Sequence, residues 1–281
     1  MQISTSPKKL SRFRGRGHRL ASFKPTLEPL EERTLLNAGA LDQTFGMNGE
    51  VMSNFSLSNF TTALLQTDGK IVVVGSAGPS VSILALARYN PDGSLDSSFG
   101  MGGVEYSPLI GGAAAAALQA DGAILVAGGR NEESVLARFT TSGAPDSTFG
   151  TGGSVTTSIP ELTGVAVAPD GKIILAGFGF PPPSYSSTIE LQRYNPNGTL
   201  DTTFGSGGTA TDPAGGAQSS RLLTQPDGKI LLVETIGGTM ANGYITPFLV
   251  KRYNADGSVD QGFQVPVNVG TGFNAAEDVA L

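Results

Sequence analysis

The chain has 281 residues, 39 of them glycine and 17 proline, with 15% charged and 39% hydrophobic residues, a mixture suited to many short strands and tight turns rather than to disorder. Cysteine is absent and His18 is the only histidine, which excludes disulfides, thiolate or histidine metal centres and Ser–His–Asp catalysis from the body of the protein. Seven cations (Lys8, Lys9, Arg12, Arg14, Arg16, Arg19 and Lys24) precede the first acidic residue, so a net charge of −6 leaves −13 on the remainder, a body that repels nucleic acid and anionic lipid.

Residues 1–38 read as a basic, disordered tail. The apolar stretch after the cations, Leu20-Ala21-Ser22-Phe23, ends at Lys24 and is too short for a secretory core. No run approaches the roughly 20 apolar residues of a transmembrane helix. Leu27-Glu28-Pro29-Leu30-Glu31-Glu32-Arg33-Thr34-Leu35-Leu36-Asn37-Ala38 resembles the LEPR-XLL-type motif of large bacterial envelope and extracellular proteins, with Leu30 where many members carry Arg. The resemblance implies a sorting or export signal and a location outside the cell or in its envelope. The alternative is an amphipathic turn from Glu28 to Leu36 docked on the following domain.

From residue 39 onward the chain repeats. Leu41-Asp42-Gln43-Thr44-Phe45-Gly46 recurs around Asp96 and Phe99, Asp146 and Phe149, and Asp201 and Phe204, with a decayed copy at Asp260 and Phe263. The Phe-to-Phe spacings are 54, 50, 55 and 59 residues. An Asp-Gly turn before an apolar run recurs at Asp68, Asp121, Asp170 and Asp227, and a strand end at Arg88, Arg138, Arg193 and Arg252. Asp-Gly between apolar runs is a hairpin signal, here a type I turn with a glycine bulge. Each unit therefore reads as four strands: A after the Gly pair, B before Asp-Gly, C after it, and D ending in Arg-Tyr or Arg-Phe. Four antiparallel strands at this period predict an all-β, β-propeller fold with repeats at about 41–94, 95–144, 145–199 and 200–258 and a partial fifth at 259–281. Four and a half blades predict an incomplete ring, hence a fragment, an oligomer or an exposed edge.

Function is less legible. The Asp in every copy is expected to form an Asx-turn and to pair with the repeated Arg, because a catalytic group is needed once and a structural one per repeat. The Phe is expected to plug the space between blades, and the alanines from Ala113 to Ala117 to sit near a narrow axis. Asn90-Pro91-Asp92-Gly93-Ser94-Leu95-Asp96 resembles the start of a calcium loop, but Met101 stands where the bidentate Glu belongs, so no metal is expected. No cofactor or catalytic residue is assigned. Length varies mainly in the C–D loops, so Tyr185 and Tyr244 are the candidate binding residues, for a glycan or protein partner. A carbohydrate-active hydrolase or lyase using Glu132, Glu133, Glu190 or Asp212 is the catalytic alternative. A purely structural segment of a large surface protein is the third reading.

The series Leu95-Asp96-Ser97-Ser98-Phe99-Gly100, Gln225-Pro226-Asp227-Gly228-Lys229-Ile230 and Arg88-Tyr89-Asn90-Pro91-Asp92-Gly93 resembles the delta-60 repeat, a bacterial propeller-like repeat of unknown function. The resemblance covers about residues 40–281. It implies large secreted or surface proteins and supplies no catalytic residues.

Overall fold

Each Asp-Gly turn closes a hairpin by the same two bonds. Gly69 N–H donates to the Gln66 carbonyl at 3.0 Å and Gln66 N–H to the Lys70 carbonyl at 2.8 Å, with Gly69 at φ +82°. That is a type I turn closed by a glycine bulge. Asp68 Oδ1 tightens it by accepting the Lys70 N–H at 3.1 Å. Gly122, Gly171 and Gly228 repeat the conformation at φ +84°, +82° and +81°.

A computed structural model describes residues 40–53, 59–78, 82–179, 188–213, 217–236, 239–240, 243–244 and 248–263. The basic tail and its sorting-like motif lie outside them. The described chain is all strand and turn. The first sheet holds β1 (Asn59–Leu65), β2 (Ile71–Ala77), β3 (Ile83–Tyr89) and β4 (Val104–Ser107). The second holds β5 (Gly112–Leu118), β6 (Ile124–Arg130), β7 (Glu133–Phe139) and β8 (Ser154–Thr156). The third holds β9 (Glu161–Val167), β10 (Ile173–Gly179), β11 (Thr188–Tyr194) and β12 (Thr209–Pro213). In the fourth, β13 (Ala217–Thr224), β14 (Ile230–Ile236) and β17 (Phe248–Tyr253) pair in that order, and a small hairpin of β15 (Thr239–Met240) and β16 (Gly243–Tyr244) lies between β14 and β17 in sequence. Every pairing is an antiparallel meander.

The sheets are out of phase with the sequence period. The strand after each Gly pair joins the sheet before it: Val104 pairs with Ala87, Ser154 with Ala137 and Thr209 with Gln192. A blade thus takes B, C and D from one repeat and its outermost strand from the next. The connection carrying the Asp and Phe runs from one strand of a blade to another strand of the same blade.

The sheets are buried on both faces, so their central strands lack polar alternation. All of β10 is buried, as are Ile124 to Gly128 of β6. Three apolar cores fill the spaces between successive sheets. Val72, Val74, Leu84 and Leu86 meet Ile124, Val126, Val135 and Ala137; Leu125, Ala127 and Leu136 meet Ile173, Leu175 and Tyr194; Ile174, Ala176, Ile189 and Leu191 meet Ile230, Leu232 and Tyr253. Among the described residues no fourth core joins the last sheet to the first. Among the described residues, Val51, Ile71 and Val73 pack against Ala87, Tyr89 and Val104 on the outer face of the first blade, and Phe60 and Leu65 are exposed.

The first strands of the blades lie innermost. Of these, β5 presents the smallest side chains, reading Gly-Ala-Ala-Ala-Ala-Ala-Leu. Phe99, Phe149 and Phe204 are each fully buried, one in each core. Each ring lies under the glycine of the next blade's D–A turn. A Cβ on Gly143, at φ +91°, would stand 2.7 Å from the Phe99 ring, and one on Gly257 2.8 Å from Phe204.

This arrangement separates two alanine substitutions. Gly152, at φ +61°, has nothing within 4 Å of an added Cβ. Gly152→Ala should cost only about 1 kcal/mol of left-handed strain. Gly143→Ala, at φ +91°, carries at least that strain and overpacks Phe99, adding roughly 1–3 kcal/mol. Denaturant midpoints of the two variants read the difference directly.

Candidate functional site

The recurrent polar residues converge on one construction between blades. Arg88 Nε donates to Asp96 Oδ2 at 2.7 Å, and the Arg88 guanidinium carbon lies 4.7 Å from the centre of the Phe99 ring. Arg88 Nη1 donates to the Thr141 carbonyl of the next blade. Asp96 Oδ1 accepts the Ser98 N–H at 3.1 Å and its hydroxyl at 2.6 Å, the expected Asx-turn geometry. Lys70, from the blade's own Asp-Gly turn, reaches Asp96 Oδ2 at 2.8 Å. The set recurs with Arg138, Asp146 and Phe149, and with Arg193, Asp201, Phe204 and Lys172. Arg138 and Arg193 likewise reach the following blade, at the Pro196 and Ala255 carbonyls. Arg252, Lys229, Asp260 and Phe263 form the last copy. In the first, Asp42 makes its turn with Thr44 and Gly46 N–H bonds the Asp92 carbonyl at 2.8 Å, while Phe45 is half-buried.

The copies are not equal. Ala123 replaces the lysine in the second blade, so Asp146 has the arginine alone. The Lys70 ammonium and the Ser98 hydroxyl hold the Asp96 carboxyl far below the ordinary carboxylate range, and Lys172 and Thr203 do the same for Asp201. Asp146 is lowered chiefly by the Thr148 hydroxyl. A depressed carboxylate contributes stability that is present above its unfolded pKa and lost as pH falls through the folded value. These latches therefore hold from neutral pH down through about pH 4 and fail only in stronger acid.

A second feature is the axial cavity, about 420 Å³ in volume. All four innermost strands line it, through Phe60–Ala63, Ala114–Ala116, Thr163–Val165 and Arg221–Leu223. Its polar groups are Thr61, Thr62, Thr163 and Arg221, and no carboxylate or imidazole is among its described lining.

A third is a charged seam between the third and fourth blades. Lys251 Nζ lies 2.9 Å from Asp212 Oδ2 and 3.6 Å from Glu234 Oε1. Tyr253 O–H donates to Asp212 at 3.0 Å. Glu234 is fully buried, and neither of its oxygens accepts a hydrogen bond. Burial pushes its carboxyl up to about 7, against the lowering by Lys251.

The residues singled out from sequence scatter among these features. Asp212 belongs to the seam. Ile189, Asp212's partner in register, places that residue on the face of the third blade turned to the fourth, while Glu190 lies on the opposite face. Glu132, at φ +67°, and Glu133 are exposed at the tip of the β6–β7 hairpin. Tyr185 lies outside the described residues. Tyr244 is described in backbone only, paired with Thr239. Arg221, Glu234 and Lys251 were not singled out. The signal was present, since Glu234 stands where Gly75, Gly128 and Gly177 stand in the sister blades, and Lys251 where Ala87, Ala137 and Gln192 stand.

A family model described as "Domain of unknown function (DUF5122) beta-propeller" matches residues 66–99, 119–149, 168–204 and 225–263. The chain belongs to this family. Each matched segment opens on the residue that begins a B–C turn and closes on a latch phenylalanine, so the DUF5122 unit comprises two strands together with the Arg–Asp–Phe construction. Among curated proteins, none matches. Solved structures of similar fold include the β-propeller domain of the Trilobed protease from Pyrococcus furiosus, at 12% identity and a TM-score of 0.44 over 74% of this chain and 57% of that one. The acylaminoacyl peptidase of Pyrococcus horikoshii matches at 10% identity and a TM-score of 0.43, over 73% of this chain and 32% of that one. An endo-1,4-beta-xylanase from Bacteroides thetaiotaomicron matches at 13% identity and 0.43, over 75% and 76%. The chain thus spans well under two thirds of the two archaeal proteins' length.

The latch makes a graded prediction. Asp201→Asn strips the carboxylate from Arg193 and Lys172 in a nearly buried setting and should cost about 3 kcal/mol. Ala123→Lys supplies the missing cation to Asp146 and should stabilise by roughly 0.2–1 kcal/mol, an effect that fades in high salt. Urea titrations at low and high ionic strength test both.

Proposed function

We propose that this DUF5122 propeller is a non-catalytic binding and scaffolding module of the cell envelope or the extracellular space. One observation carries the reading: the axial cavity is a polar concavity lined by all four blades, and its described lining offers hydroxyls and a guanidinium but no acid–base pair. Its volume of about 420 Å³ falls in the range of small-molecule sites. Thr61, Thr62, Thr163 and Arg221 suit a hydroxylated or carboxylated ligand such as a sugar unit of a surface glycan. The recurrent aspartates that might have served catalysis are occupied in the latches. The seam carboxylates do share a lysine, yet Glu234 is fully buried and offers no substrate access. The resemblance of residues 27–38 to a LEPR-XLL motif supports export, and among the described residues no helix is long and apolar enough to cross a membrane.

The test is ligand titration by NMR or calorimetry with neutral sugars, uronic acids and their oligomers. Binding is expected to weaken at least tenfold in Arg221→Gln and in Thr163→Val. Binding that survives both but disappears in Tyr185→Ala or Tyr244→Ala would move the site to the C–D loops. Glycan turnover would replace the binding reading with the hydrolase or lyase one.

A further inference from the structure

The three inter-blade interfaces differ at equivalent positions, and the difference grows along the chain. At the first, the strand-end positions carry Ala137 and Phe139, with Ser107 on the facing blade's outer strand, all buried. At the second they carry Gln192 and Tyr194, which form a neutral network. Tyr194 O–H donates to Gln192 Oε1 at 2.8 Å, and Gln192 Nε2 donates to Ser158 and Thr209. At the third they carry Lys251 and Tyr253, with Asp212 facing them and Glu234 alongside.

Among the described residues the third interface holds two carboxylates and one ammonium. Asp212 receives two donors, Lys251 at 2.9 Å and Tyr253 at 3.0 Å. Glu234 receives none, and its nearest cation is the same lysine at 3.6 Å. The third blade turns Phe178 and Ile189 toward this seam, in register with Asp212, and neither supplies a donor. Arg221 is in register with Val233, on the opposite face of the fourth blade from Glu234, and lines the axial cavity instead. Of the charged groups placed here, Asp212 and Lys251 face the seam, and Tyr253 is its other titratable group.

An ionised Glu234 therefore leaves the buried seam with a net negative charge, and a single proton makes it neutral. Burial of an uncompensated charge is among the costliest features a protein interface can carry. The sister blades avoid the issue with glycine at this position. There a side chain would collide with the neighbouring strand, since a Cβ on Gly128 would stand 2.1 Å from the Gly112 carbonyl oxygen and one on Gly177 2.0 Å from that of Glu161. In the fourth blade the irregularity of the inner strand lies farther along, between Ala217 and Ser219 opposite Ile236 and Thr235, and Glu234 pairs regularly with Ser220.

We infer that the seam between the third and fourth blades is a proton-controlled joint, sealed when Glu234 carries a proton and loosened when it is ionised. The sign follows from linkage. A carboxyl raised above its ordinary value makes the sealed form take up a proton, so sealing is strongest in mild acid and weakens as pH rises to about 7, beyond which it changes no further. Between pH 5 and 7 the opening constant should rise, by up to about tenfold per pH unit. Because β13 of the fourth blade carries Arg221, Leu222 and Leu223, opening of this joint changes the wall of the axial cavity. The inference concerns the fold and holds whether or not that cavity binds a ligand.

Hydrogen exchange read by mass spectrometry on the full chain, from pH 5 to 8 and corrected for intrinsic exchange rates, tests it. Peptides covering β12, β14 and β17 should lose protection as pH rises, while those covering β6 and β7 at the apolar first interface should not. Glu234→Gln and Glu234→Met should both remain protected at pH 8 and flatten the dependence; two variants guard against one failing to fold. A pH-independent seam in the wild type, or a dependence that persists in both variants, would overturn the inference.

Discussion

The propeller depends on the repeated arginine that closes each blade against the next. A four-stranded sheet with two apolar faces has no stable existence alone, so its neighbours must be fixed at a set distance and angle. Apolar contact supplies most of the energy but little direction. The guanidinium supplies the direction: its plane stacks on the phenylalanine, its Nε holds the aspartate that shapes the connection, and its outer nitrogen reaches a carbonyl of the following blade. A lysine could not do all three, having one point charge and no planar face. The glycine under which the phenylalanine lies belongs to the same turn as that carbonyl in the next blade, so packing and hydrogen bonding enforce one geometry.

Repetition also explains why the conspicuous residues are poor guides to activity. Asp96, Asp146 and Asp201 have the perturbed acidity that often marks an active site, yet the perturbation comes from a cation or hydroxyl each needs for assembly. Information specific to this chain lies where a copy departs from its sisters. Glu234 in place of glycine, Lys251 in place of alanine or glutamine, and Asp212 in place of serine or threonine are three departures that fall within one seam.

Much of the fold was legible because its determinants are local. Asp68-Gly69 states its own turn, and Phe99 and Arg88 announce by recurrence that they serve assembly. What escaped the one-dimensional reading was the partner of each outermost strand. Val104 to Ser107 follow Asp96 and Phe99 in the repeat, and nothing local tells that they turn back to pair with Leu84 to Ala87 rather than forward. Strand pairing is decided by which apolar edge is free in space, a non-local property. The axial cavity was hidden for the same reason, since it is assembled from four segments each more than 40 residues apart. Glu234 was missed because a glutamate ending an apolar run looks like an ordinary solvent-facing strand end, and only the third blade shows that it is buried.

An uneven set of interfaces has a mechanical consequence. Among the described residues the fourth blade has one apolar core, shared with the third, and the buried Glu234 carboxylate lies on the same face of the blade. Stability in repeat proteins is close to a sum of unit and neighbour terms, so among the described interfaces the costliest opens first. The Arg193 latch to the Ala255 carbonyl and the fully buried Phe204 hold the turn face of the same joint, away from Glu234. Opening should therefore begin at the end bearing Glu234 and Asp212 and pivot about the latch, a motion that alters the cavity wall without detaching the blade.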